Sequence, residues 1–427
     1  MCTESAIHRL VAALACAVLG GCSNNSSPTS SGTIVENWGA SCAASGASLC
    51  SFPAPTDPGS GGILFAASGE VLALTGYPFP PVNAGDPAFV DGWDVHFTRM
   101  LVTVDKIKLS SNPDLAPGDQ SQTGPLLAEV EGPWAIDLAH SDQTYLQGKG
   151  GSGEEAVPIA SLPASSSFAT DGTRYALGFD LIAATQQASD GRSTMNVNLD
   201  AAGLADYQEM IQDKCAVFYV GVATFAGGTV MGYETCNDDP EYQNWPTAVN
   251  FRLCFKSPTT YINCQNPDND PAMALAGEEH ERGIAFKANQ SVIGQVTVHT
   301  DHPFWDSVLH DSPAHFDQFA ARVVGQDGGA IPTVTVDMTK GVDYTAYTDA
   351  LGRKLNWRYC IAPPTDVHPQ FNGPVAFDPQ NVPACTNTNS ATGLCDYYDF
   401  TTYNQSTQGH LNSDGLCFVS RNYPSPP

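Results

Sequence analysis

Apolar and polar residues alternate along much of this chain, and the phase of that alternation predicts its main elements. Trp93, Val95 and Phe97 fall on one face, whereas Met100, Val102 and Val104 continue in the opposite phase. A period of two marks a half-buried strand, and a phase slip inside one run predicts a β-bulge. Further strands are expected at Trp134–Leu138, Tyr175–Leu181, Cys215–Phe225 and Val249–Phe255, with shorter ones at Ile284–Phe286 and Val334–Val336. One helix interrupts them: Leu204, Tyr207, Met210 and Ile211 share a face, and Asp200 is placed to cap its start. Short strands between loops rich in Gly, Pro, Asp and Ser imply a mainly β protein, antiparallel and sandwich-like, with few short helices. The length suggests two domains, 63–240 and 241–427.

The amino-terminal end reads as an address. The apolar run Leu10–Leu19 is too short to cross a bilayer and fits a signal-peptide core, so 1–21 is expected to be a leader. Leu19-Gly20-Gly21-Cys22 resembles the lipobox of bacterial lipoproteins. That resemblance implies cleavage before Cys22, its acylation, and attachment to the membrane through lipid alone. Ser23, where an Asp would favour retention, implies an outer-membrane lipoprotein facing the periplasm or the cell surface. Residues 22–62, rich in Ser, Gly, Pro and Asn, are expected to tether the folded part.

Composition sharpens this picture at two points. The formal net charge of −27 excludes nucleic acid as a partner. Of 13 cysteines, Cys2 and Cys16 leave with the leader and Cys22 is acylated, so ten remain. An even number in an exported protein implies disulfides. Short loops favour Cys42–Cys50, Cys254–Cys264 and Cys385–Cys395, which leaves Cys215–Cys236 and Cys360–Cys417.

Candidate chemistry gathers in Val292–Val324, which holds His299, His302, His310 and His315, four of the ten histidines, interleaved with Asp301, Asp306, Asp311 and Asp317. Imidazole is a common metal ligand, and with carboxylates it suits Zn²⁺ or Cu²⁺. The expected ligands are His299, His302, His310 and His315, with Asp301 or Asp311 as a ligand or as the carboxylate that orients one. A strand ending at Val298, a helical start at Asp301-His302-Pro303 and a second helix from Ser312-Pro313 through Ala321 would fold the later histidines back on the earlier ones. A competing reading makes Asp and Ser caps, Phe304, Trp305, Phe316 and Phe319 core, and the histidines incidental. Elsewhere, Gly148–Gly153 lacks the strand–helix setting of a phosphate loop. Asp268-Asn269-Asp270 reads as a turn more readily than as a Ca²⁺ site. His96, beside Asp94, reads as a core histidine.

Cys254 followed by Cys264-Gln265-Asn266-Pro267-Asp268-Asn269 resembles the cysteine–proline–asparagine region of methanobactin-associated periplasmic copper-binding proteins. The resemblance implies a disulfide-bonded, β-rich, copper-binding periplasmic protein. A lipid-anchored metal-binding protein is therefore the first functional expectation, and a binding protein is favoured over an enzyme. A non-catalytic surface or adhesion module, stacking glycan or protein on the aromatics Tyr397, Tyr398, Phe400 and Tyr403, is the alternative. An exported hydrolase is the third.

Overall fold

The strand Trp93–Ser110 is the spine of the molecule. It pairs with Val217–Phe225, Trp134–Asp137, Leu126–Glu131 and Asp171–Leu181, all antiparallel. Its pairing with Val217–Phe225 passes from Arg99 opposite Val220 to Phe97 opposite Gly221, so Thr98 is the extra residue. That is the bulge announced by the phase slip. It lets Phe97 and Met100, three residues apart, both reach the core.

The computed structural model describes residues 32–39, 49–83, 85–141, 155–227, 236, 242, 244–308, 310–326, 329–343, 348–353, 355, 358–361 and 395–422. The leader, Cys22, Cys42, Cys385 and the Gly148–Gly153 loop lie outside them. Among the described residues the protein is mostly β, with a 13-stranded sheet, a 5-stranded sheet and few short helices. The expected helix forms at Ala201–Asp213, where the Asp200 carboxylate accepts from the Gly203 amide and Tyr207 and Met210 are buried. Ala248–Phe255 alternates buried and half-buried residues as its sequence requires.

The smaller sheet carries the site. Val292–Val298 lies between Ile63–Ser68, to which it is parallel, and Gly409–Leu411, to which it is antiparallel. All seven of its residues are buried, Thr297 included. Both sheets draw strands from either side of residue 241, and Thr33–Pro427 is one contact unit, so the two expected segments interleave. The expected tether also contributes: Ile34–Asn37 pairs with Leu126–Glu131, and Cys50–Ser51 with Met195–Asn196.

The largest apolar cluster draws on both sheets. Phe304 packs its ring edge against Phe89 at 5.1 Å and Phe319 at 5.4 Å, and Trp93 lies 5.2 Å from Phe316. The aromatics of the histidine stretch are thus core, as the competing reading held. Tyr397 and Phe400 are buried in the helix Tyr397–Gln405, so the aromatic tail expected to be exposed is largely internal. His96 is the reverse case: half exposed, it pairs with Asp94 at 2.7 Å.

Three disulfides replace the expected Cys254–Cys264, Cys215–Cys236 and Cys360–Cys417, while the expected partners of Cys50 and Cys395, Cys42 and Cys385, lie outside the described residues. Cys215 bonds Cys254, Cys236 bonds Cys360, and Cys264 bonds Cys417. Strand register decides these partners. Cys254 stands opposite Phe218 on neighbouring strands, close to Cys215, and the Gln265 amide donates to the Leu416 carbonyl beside Cys264 and Cys417. Cys50 and Cys395 are disulfide-bonded as well, so every described cysteine is oxidised. These bonds indicate an oxidising, extracytoplasmic compartment. Among the described residues no helix is long and apolar enough to cross a membrane.

Candidate metal centre

The centre forms where the smaller sheet ends. His410 stands opposite Thr297 in the antiparallel register, and His299 lies two residues beyond Thr297. In a strand, residues two apart share a face, so the register brings His299 and His410 to the same side. The His299 amide donates to the Gln408 carbonyl, holding the pairing one step past the strand. Their rings stack with centroids 4.1 Å apart. Next to His410, Gly409 leaves room for the Tyr261 ring: a Cβ there would lie 2.4 Å from it.

His302 arrives from the other side. The chain turns after Thr300, and His302–Phe304 forms a 3₁₀ turn with Pro303 at its start. Asp301 does not cap this turn. Its carboxylate instead accepts from the Trp305 indole at 3.1 Å, and the His302 ring stacks on that indole at 3.7 Å. His302 Nδ1 is 2.8 Å from the Thr407 hydroxyl, which itself donates to the Asn404 carbonyl. The Thr407 proton is thereby committed, so His302 Nδ1 carries the hydrogen and Nε2 is left with its lone pair.

His299, His302 and His410 each present a ring nitrogen within 4.8 Å of the other two. This His₃ group can hold a metal ion. His302 and His410 are fully buried, and His302 Nε2 has no hydrogen-bond partner. Neither ring nitrogen of His410 makes a well-formed hydrogen bond, although main-chain groups of Thr407 and Ser413 lie near. Burial, then the neighbouring imidazoles, holds both rings well below the ordinary imidazole range. Buried donor nitrogens that remain neutral and unpaired are costly in a protein interior, and a bound cation would satisfy them.

Two further groups border the site. Beyond His299, Glu70 and Asp414 lie 3.8 and 4.0 Å from its Nε2, and these three form a second, more exposed group of suitable donors. On the other side His310 lies with its ring centroid 6.2 Å from His302 and 5.9 Å from His410. Asp311 is 3.3 Å from His310 Nδ1. It holds the imidazole above its ordinary value, against the opposing effect of burial.

His315 goes elsewhere. The second helix begins only at Asp317, because Ala314 bridges to Phe89 and Trp305 and the Asp91 carboxylate accepts from the Phe316 and Asp317 amides at 2.7 Å. His315 is therefore buried between Asp91, at 3.8 Å, and Asp306, at 3.4 Å. Tyr359 donates to Asp306 at 2.7 Å, and Arg358 and the Trp93 indole donate to Asp317. Burial alone would lower the His315 pKa, but the Asp306 contact and the charges of Asp91 and Asp317 outweigh it, and the pKa is raised. Burial and the Asp317 charge push Asp91 up to about 7.

Two of the four expected histidines, His299 and His302, thus converge, His310 lies at the edge of the group, and His315 does not join it. Asp311 touches His310, whereas Asp301 is bound to Trp305. His410 was missed because no metal-binding pattern surrounds it; its one signal is a histidine in the short run Gly409–Leu411 before the turn residues Asn412-Ser413-Asp414-Gly415. The expected turn reading of Asp268–Asp270 agrees with the local geometry, in which Asn266 accepts from the Asp268 amide and Asp270 from the Ala272 amide. No protein-family model, curated protein or solved structure matches this chain.

Proposed function

We propose that this is an extracytoplasmic metal-binding protein, anchored to the outer membrane through acylated Cys22, whose ion is held by His299, His302 and His410. The observation that carries the reading is the pair of fully buried rings His302 and His410, whose unpaired nitrogens lie within 4.8 Å of one another and of a ring nitrogen of His299 at one end of the smaller sheet. Three imidazoles favour Zn²⁺ or Cu²⁺ over hard cations, and Cu⁺ would prefer thiolate or thioether donors. Every described cysteine is committed to a disulfide, which removes thiolate from competition. Thr407, by fixing the His302 tautomer, plays the orienting part usual behind a ligating histidine.

The test is elemental analysis and calorimetric titration of the purified protein with Zn²⁺ and Cu²⁺. One equivalent is expected for the wild type and none for His302→Ala/His410→Ala. Failure of the wild-type protein to take up either ion would overturn the reading. Loss of membrane association in Cys22→Ser tests the anchor separately.

A further inference from the structure

Three imidazoles do not complete a tetrahedral site. Structural zinc sites are closed by four protein ligands, whereas exchanging sites keep one position open. His302 and His410 are fully buried, whereas His299 and His310 are partly exposed and border the site on its open sides. On the His310 side the geometry is specific. The ring lies nearly parallel to His410, at 24°. Its Nε2 is buried with no hydrogen-bond partner, while its Nδ1 is occupied by Asp311. The side chain is nevertheless 32% exposed, because it also lines a cleft of about 510 Å³ together with Trp305, Val308, Thr407 and Phe418. His310 thus stands between the ligand set and an open cleft.

At its present distance His310 does not coordinate with the other three, since nitrogens sharing one zinc are roughly 3.3 Å apart and it falls outside the 4.8 Å group. We propose that His310 is a detachable fourth ligand. Rotation about its side-chain torsions brings Nε2 onto a metal held by His299, His302 and His410, and the reverse rotation opens that position to a nitrogen or oxygen donor in the cleft. Asp311, 74% exposed, holds the ring at Nδ1 and can follow its movement without leaving water. The inference rests on the His₃ reading and adds to it that the bound ion is exchangeable through the cleft.

The full chain loaded with Co²⁺ tests this, because the visible bands of cobalt report coordination number and geometry. The wild type is expected to give intense four-coordinate bands. In His310→Ala, and equally in His310→Gln, their intensity should fall by at least roughly twofold as water replaces the imidazole. Free imidazole, small enough for the cleft, should restore the bands saturably in His310→Ala. Stoichiometric uptake with the same spectrum in wild type and both variants would overturn the detachable ligand and leave the His₃ reading standing. Variant bands that fall but do not respond to imidazole would overturn access through the cleft. Absence of cobalt uptake in the wild type would overturn both.

Discussion

Two buried histidine environments grow from one short stretch, and they are built on opposite principles. Around His302 and His410 the interior holds imidazoles, an indole and a hydroxyl, with the carboxylates Glu70 and Asp414 kept outside, beyond His299. Around His315 the interior holds Asp91, Asp306 and Asp317, answered by Arg358, Tyr359 and Trp93. In the first, burial holds His302 and His410 neutral. The second has its cations built in. Histidine content alone therefore does not mark a metal site; the number of carboxylates sharing the burial decides whether imidazole acts as ligand or as ion-pair partner.

The largest expected effect that separates the two is on metal affinity. His410→Ala should weaken binding by about 100-fold or more, beyond the 10–100-fold typical of losing an orienting partner, whereas His315→Ala should leave it within about threefold. Titration of both variants beside the wild type checks this, and equal losses would erase the distinction. The second effect is on folding. Arg358→Met leaves Asp317 buried without its guanidinium and should cost about 3–5 kcal/mol, read by chemical denaturation of the metal-free protein.

Acid should act on the two regions in opposite directions. His302 and His410 titrate well below 6.5, so as pH falls below that value the unfolded chain takes up protons that the fold refuses, and their contribution destabilises. Asp91, pushed up to about 7, and His315, also raised, keep protons that the unfolded chain has released. Their contribution is present in acid and is lost as pH rises, from the unfolded 3.8 through about 7 for Asp91 and above 6.5 for His315. In melting curves of the metal-free protein, His302→Phe should therefore gain stability selectively below pH 6.5, and Asp91→Asn should flatten the decline towards neutrality. Parallel pH profiles for the two variants would contradict the assignment. The smallest effect concerns capture. Glu70→Gln/Asp414→Asn removes two charges beside His299 and should slow metal association by about two- to fivefold, a difference that added salt diminishes; stopped-flow mixing at two salt concentrations measures it.

What was legible in the sequence follows from how local each cause is. The bulge at Thr98 and the helix Ala201–Asp213 are written in neighbouring residues, as a phase slip and as a face with its cap. The convergence of His299 and His302 depends on one turn and was also legible. His410 was not, because its place is set by register with Thr297 on a strand far earlier in the chain. The late start of the helix at Asp317 depends on a carboxylate from Asp91 that no local pattern announces. The disulfides show the same limit: loop length favoured near neighbours, but pairing of Val217–Phe225 with Ala248–Phe255 set Cys254 beside Cys215.

The parallel pairing of Val292–Val298 with Ile63–Ser68, closed by Gly409–Leu411, also fixes when the centre can exist. A chain that emerges amino-terminus first presents His299 and His302 well before His410, and His302 must wait for Thr407, 105 residues later, before its ring is oriented. Contacts of such long sequence separation form late in folding. No complete ligand set is present until His410 has been delivered. On the proposed reading, a chain still short of His410 would hold metal poorly, and an ion bound after folding would be drawn from the compartment in which folding finishes rather than from the one in which synthesis began.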